Sequence, residues 1–167
     1  MKSKYTLPNA LTTLRLLLTV PLVILILQEK NVLALIVFVI AITTEIDGTV
    51  ARKLNQATAF GAVYDPIVDG IFAGGGIIAL LAINKLPLLL IALLVAANIP
   101  RLIFMYLFHK KWGKFGSTIW TKLSGLLGTL IIPLAILDFP YLYEYIIGVI
   151  ILTTILMIGV GKEYFRK

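Results

Sequence analysis

Four carboxylates sit in or beside two long apolar runs of this chain: Glu45, Asp47, Asp65 and Asp69. An aspartate held at the middle of a bilayer costs about 2.5–3.5 kcal/mol, so acids in such runs need a reason. Asp65 and Asp69 are four residues apart and share one face of a helix, with Cβ atoms roughly 6 Å apart. Two carboxylates that close repel unless something cationic lies between them. An all-oxygen donor set suits a hard divalent cation such as Mg²⁺ or Mn²⁺, which keeps waters and accepts phosphate oxygens. Asp47 can join the pair if its segment and the next form an antiparallel hairpin through the loop 53–60. Gly48 lets a ligand approach the backbone, and Arg52 and Lys53 supply donors suited to pyrophosphate oxygens. The alternative is a set of solvated interfacial acids paired with Arg52 and Lys53.

The elements that would carry these residues are legible from composition. The chain has 167 residues, 60% hydrophobic and 14% charged, with a mean hydropathy of +1.02. A soluble domain is about 45–50% apolar and about a quarter charged, so a soluble fold is not expected and intrinsic disorder is excluded. The absence of cysteine removes disulfides, thiolate metal sites and thiol catalysis. Six apolar stretches run over 8–28, 32–52, 61–83, 86–108, 121–137 and 142–162, each near the length needed to cross a hydrocarbon core. Breakers separate them at Glu29-Lys30-Asn31, Asn84-Lys85-Leu86-Pro87 and Asp138-Phe139-Pro140. Arg15 interrupts the first stretch, which therefore does not read as a cleavable signal. The expectation is an all-α membrane protein, one domain over 1–167, with six transmembrane helices in one bundle.

With the N-terminus inside, every Lys and Arg except Lys30 and Lys85 falls on the cytoplasmic side. This follows the positive-inside rule and places both termini and the acidic cluster at the cytoplasmic face of the cell membrane. Topology and anionic headgroups account for the net charge of +7, so no nucleic-acid partner is expected. Ala73-Gly74-Gly75-Gly76 in the third stretch permits close helix–helix approach, within the bundle or across a dimer. Arg101 and Lys122 are either snorkelling interfacial charges or a cationic site for a phosphorylated alcohol. Lys110, Lys111 and Lys114 read as a topology signal, and Trp112, Trp120, Tyr141, Tyr143 and Tyr145 as an interfacial belt.

The segment 44–70, TEIDGTVARKLNQATAFGAVYDPIVDG, resembles the signature of the CDP-alcohol phosphotransferases, D-x2-D-G-x2-A-R-x8-G-x3-D-x3-D. Asp47, Gly48, Ala51, Arg52, Gly61, Asp65 and Asp69 fall at the required spacing. The opening LPNALTTLR is similar to that of the phosphatidylglycerolphosphate synthase branch of the family. Arg101 and the stretch Thr118–Lys122 fall where that branch carries further basic residues. The resemblance implies transfer of a phosphatidyl group from a CDP-activated lipid (CDP-diacylglycerol or its archaeal dialkyl equivalent) to an alcohol, with glycerol 3-phosphate favoured, and release of CMP. It implies a two-metal site of Mg²⁺ or Mn²⁺ held by Asp47, Asp65 and Asp69, with Asp69 also the general base. Asn9, Thr12, Gly48, Arg52, Thr58 and Gly61 would bind the cytidine diphosphate, and Arg101 and Lys122 the acceptor. On this reading Asp69→Asn abolishes CMP release and leaves the folded fraction unchanged. The resemblance and the glycine-rich third stretch both point to a homodimer.

Two positions depart from the pattern. Thr44 stands where the family has its first aspartate, and Gly70 where many relatives have lysine. The first aspartate is implied to hold both metals, and Thr44 offers one neutral hydroxyl in its place. Glu45 is adjacent but about 100° around the helix. The chain is then a working enzyme with a weaker site, a divergent branch, or a silent relative that binds nucleotide or lipid without turnover. A small cation carrier is a further class, but it calls for acids along a continuous pore rather than at one level beside a basic pair.

Overall fold

Runs of Leu, Ile, Val and Ala can satisfy their backbone away from water only as helices, because a helix closes its hydrogen bonds within the segment. The computed structural model describes the backbone of residues 6–51, 59–99 and 125–166, and the side chains of that set other than 45–51, 59, 62, 63 and 156–166. Among the described residues there are six helices: α1 (Leu7–Leu27), α2 (Asn31–Ala51), α3 (Ala59–Ala82), α4 (Leu88–Ile99), α5 (Gly125–Ile136, with a turn at Leu130) and α6 (Leu142–Arg166). The first three lie within one or two residues of the stretches expected from hydropathy. The chain packs as two units, Met1–Lys85 and Leu86–Lys167.

In the first unit both α2 and α3 pack on α1. Thr12 of α1 meets Asp65 of α3, Arg15 meets Asp69, and Thr19 and Val23 lie over Gly75. Contact positions rise together, so α1 and α3 run parallel. The short connection 28–30 turns the chain back, and α2 runs antiparallel to both. Phe38 and Phe72 stack between α2 and α3 with ring centroids 5.8 Å apart.

The distribution of polarity is inverted relative to a soluble bundle. The buried face of α1 carries Asn9, Thr12, Arg15 and Thr19 before Leu22 and Ile26, whereas Leu14, Leu17, Val20, Ile24 and Leu27 are exposed. On α2 the buried row is Ala34, Phe38, Ala41 and Thr44, and Val32, Leu33, Ile36, Val39 and Ile40 face outward. So much exposed aliphatic surface is unfavourable in water and neutral against lipid tails. Leu7–Leu27 and Tyr64–Ala82 are each long and apolar enough to cross a membrane. The protein is a membrane protein. Buried threonines give their hydroxyl hydrogens back to their own helices, Thr19 to the Arg15 carbonyl at 3.1 Å and Thr153 to that of Val149 at 2.8 Å. This satisfies groups that would otherwise be stranded away from water.

α1, α3 and α5 end in the same way. Glu29, Asn84 and Asp138 adopt left-handed φ of 54°, 58° and 51°. The following N–H reaches back to Leu25, Leu80 and Leu134 respectively, at 2.9, 2.9 and 3.0 Å. Each is a Schellman closure built without glycine, and each coincides with a breaker cluster seen in the sequence. In the second unit α5 packs on α6. The Tyr145 hydroxyl donates to the Leu127 carbonyl at 2.8 Å, tying the two helices together.

Gly75 marks the close approach of α3 to α1. A Cβ there would meet Thr19 Cγ2 at 3.1 Å and Val23 Cγ2 at 3.3 Å, whereas one on Gly74 would meet nothing within 4 Å. Neither neighbour can yield easily, because the Thr19 hydroxyl is bonded to the Arg15 carbonyl and helical valine is held in one rotamer. Gly75→Ala is therefore expected to be less stable than Gly74→Ala by about 1–2 kcal/mol, read as a lower thermal midpoint in detergent.

Candidate functional site

The polar face of α1, the C-terminal half of α2 and the first half of α3 meet at one end of the first unit. Asp65 and Asp69 sit one turn apart on α3 with Pro66 between them. Proline has no N–H to give to the carbonyl of residue 62, which loosens the helix beside the pair. Each carboxylate is met from α1. Asp65 Oδ1 accepts from the Thr12 hydroxyl at 2.9 Å, and the same hydroxyl lies 3.0 Å from the Pro8 carbonyl. Asp69 Oδ1 accepts from Nη1 of Arg15 in a close ion pair.

Arg15 joins all three helices. Its Nε donates to the Ala41 carbonyl of α2 at 3.3 Å while Nη1 holds Asp69. The ion pair is lopsided: the Arg15 side chain is 3% exposed and that of Asp69 is 43% exposed. The cation is sealed among the helices, and the carboxylate reaches the surface. Thr44 is also buried, and its hydroxyl donates to the same Ala41 carbonyl at 2.7 Å. One backbone oxygen thus receives both Thr44 and Arg15.

Thr12 and Asn9 line the same buried face of α1, and Gly61 lies near the start of α3, one turn before Asp65. The Tyr64 hydroxyl is 3.2 Å from that of Thr13, and its ring stacks on Phe60 with centroids 5.2 Å apart. Asp47 and Gly48 lie in the last turn of α2, one turn beyond Thr44. The Asp47 and Glu45 side chains are outside the described residues, as are Arg52, Lys53, Thr58, Arg101 and Lys122. Among the described residues no cluster of three acidic or histidine side chains occurs. Two carboxylates one turn apart, oxygen donors only and one of them open to the surface, nonetheless fit a hard divalent cation.

Sequence reasoning assigned Thr12, Asp65 and Asp69 to one site but missed Arg15, which it used only to reject a cleavable signal and to judge topology. A usable signal was present: a lone arginine inside an apolar span requires a partner at its own depth. The consequence is a revision. Asp69 is the counter-ion of a buried guanidinium, so Asp69→Asn is now expected to lower stability as well as activity.

Residues 5–160 match the family model described as CDP-alcohol phosphatidyltransferase. Three relatives named CDP-diacylglycerol--glycerol-3-phosphate 3-phosphatidyltransferase align with the chain. The one from Aquifex aeolicus is 32% identical over 157 residues, covering 90% of this chain and 85% of that protein. The one from Rickettsia felis is 40% identical over 99 residues, 54% of each chain. The one from Rickettsia typhi is 41% identical over 93 residues, 51% of this chain and 52% of that protein. The chain therefore spans about half the length of the Rickettsia relatives it matches. No solved structure matches it.

Proposed function

Because the chain belongs to the CDP-alcohol phosphatidyltransferase family, we propose that it transfers the phosphatidyl group of CDP-diacylglycerol to glycerol 3-phosphate and releases CMP. The observation that carries this reading is the Asp65–Asp69 pair on α3, cradled by Thr12 and Arg15 of α1. The near full-length likeness to the Aquifex aeolicus protein supports the choice of acceptor.

In this reading the acceptor hydroxyl attacks the phosphorus next to the diacylglycerol. A new O–P bond forms, the bond to the CMP oxygen breaks, and CMP leaves with the bonding electrons. Asp69 takes the hydroxyl proton on its carboxylate, which suits a general base that reaches the surface. Asp65, fixed by the Thr12 hydroxyl, keeps its orientation through the step. The family uses divalent metals, and Asp47, Asp65 and Asp69 would hold two Mg²⁺ or Mn²⁺ ions here. Held there, such ions would supply charge neutralisation for the pyrophosphate and the leaving CMP. Asn9, Thr12, Gly48, Arg52, Thr58 and Gly61 bind the cytidine diphosphate, and Arg101 and Lys122 bind the acceptor phosphate. The chain, 1–167, works as one domain of six spans with both termini and the site at the cytoplasmic face, and as a homodimer.

A second reading, a relative that binds nucleotide without turnover, is favoured by one observation. The Thr44 hydroxyl gives its hydrogen to the Ala41 carbonyl and brings no charge to the site.

Purified protein in nanodiscs, supplied with CDP-diacylglycerol, glycerol 3-phosphate and Mg²⁺ or Mn²⁺, is expected to release CMP, and a chelator to stop it. Inositol or glycerol in place of glycerol 3-phosphate should slow release at least about tenfold, the effect of one lost charged contact. No CMP with any acceptor, alongside retained CDP binding, would move the assignment to the second reading.

A further inference from the structure

We infer that Arg15 is the positioning residue of this site. Anchored on the Ala41 carbonyl of α2, its guanidinium holds Asp69 of α3 by one carboxylate oxygen and sets the net charge that the site presents to a divalent cation. The inference rests on the phosphotransfer reading for its kinetic part alone; the ion pair and its effect on cation affinity stand apart from any turnover.

A guanidinium buried to 3% exposure is a costly group to place between helices, and it persists only where it is paired and hydrogen-bonded. Here it has both, from two different helices. The planar fork matters: Nε points to one helix and Nη1 to the other, so the side chain fixes the position of Asp69 relative to α2 as well as its rotamer. A lysine ammonium has no such fixed angle between its donors. Arg15 is one turn along α1 from Thr12, the residue that holds Asp65. The two carboxylates are thus each set by a side chain from the same stripe of α1. That stripe is polar beside the carboxylates and for one further turn, to Thr19 over Gly75, and turns apolar at Leu22 and Ile26.

The charge has a second consequence. One cation in contact with Asp69 offsets one of the two described carboxylates, and it opposes the approach of any divalent ion to the pair. Removing the guanidinium should therefore tighten cation binding while misplacing the carboxylate. A side chain with only a packing role would do neither.

The test uses the full chain in nanodiscs, with Mn²⁺ binding followed by electron paramagnetic resonance and turnover by CMP release. Arg15→Met keeps the apolar stem and removes the charge. It is expected to bind Mn²⁺ about tenfold more tightly, the scale of one charge–charge contact near an aqueous boundary. Its kcat should fall at least about tenfold, with the KM for CDP-diacylglycerol within about twofold of the parent, the pattern of a lost transition-state arrangement rather than lost binding. Arg15→Lys should restore Mn²⁺ affinity to the parent value and recover only part of kcat. The inference is overturned if folded Arg15→Met keeps both the parent Mn²⁺ affinity and the parent kcat, if Arg15→Lys matches Arg15→Met in both, or if the loss appears in KM. Failure of either protein to bind Mn²⁺ also overturns it. Absence of CMP release from the parent would sink the phosphotransfer reading instead, and the Mn²⁺ comparison would still decide the role of Arg15.

Discussion

Asp69→Asn should lose both turnover and stability, and adding Arg15→Met to it should restore the stability alone. The first half follows from the proposed role of Asp69. A general base contributes about 10²–10⁴-fold, and an amide cannot accept the proton, so CMP release should drop by at least that range. The second half follows from the ion pair. Removing one partner of a buried pair costs about 3–5 kcal/mol because the other charge is stranded. Asp69 is 43% exposed, so water already shares its charge and some can follow to Arg15. The expected loss is therefore smaller, about 1–3 kcal/mol after that screening. In the double variant no charge is stranded, and a methionine fills the stem's space between the helices. Its thermal midpoint should return to within a few degrees of the parent while CMP release stays at the level of Asp69→Asn. A double variant no more stable than Asp69→Asn would show that the guanidinium is not what the mutation strands.

Thr44→Asp is the second variant with a large expected effect. Thr44 is buried and bonded to the carbonyl that also receives Arg15 Nε. A carboxylate introduced there adds a negative charge to the end of the bundle that already holds Asp65 and Asp69, within reach of the guanidinium. The divalent-ion concentration giving half-maximal CMP release should fall about tenfold or more, as one further carboxylate near a cation is worth roughly 1–4 kcal/mol at the boundary of a protein. Turnover at saturating metal should rise far less if the parent is an active enzyme. Activity present only in the variant would identify the parent as the binding relative. An unchanged metal requirement would remove position 44 from the metal site.

The residues of this site were legible in part, and the reason lies in what each depended on. Asp65 and Asp69 share a face because four residues make about one helical turn, a relation internal to one segment. The breakers around Glu29, Asn84 and Asp138 marked where helices stop, and the structure places a left-handed residue at each. The pairing of Arg15 with Asp69 spans 54 positions, and no local pattern encodes it. The basic pair Arg52-Lys53, adjacent in sequence, was the nearer candidate on paper.

The sequence by itself determined that the chain is helical, where the first three helices begin and end, and that acids within or beside apolar spans call for an explanation. Those follow from the cost of bare backbone and bare charge in hydrocarbon, which any span must meet alone. Only the tertiary structure decided which face of each helix is inside. Leucine and isoleucine occur on both the buried and the exposed surfaces, because lipid tails accept them as readily as a protein core does. Periodicity therefore could not single out the stripe Asn9, Thr12, Arg15 and Thr19 as the wall of the site, nor set its register against α3. That register came from packing, through the close approach at Gly75 and the single arginine that bonds to both neighbouring helices.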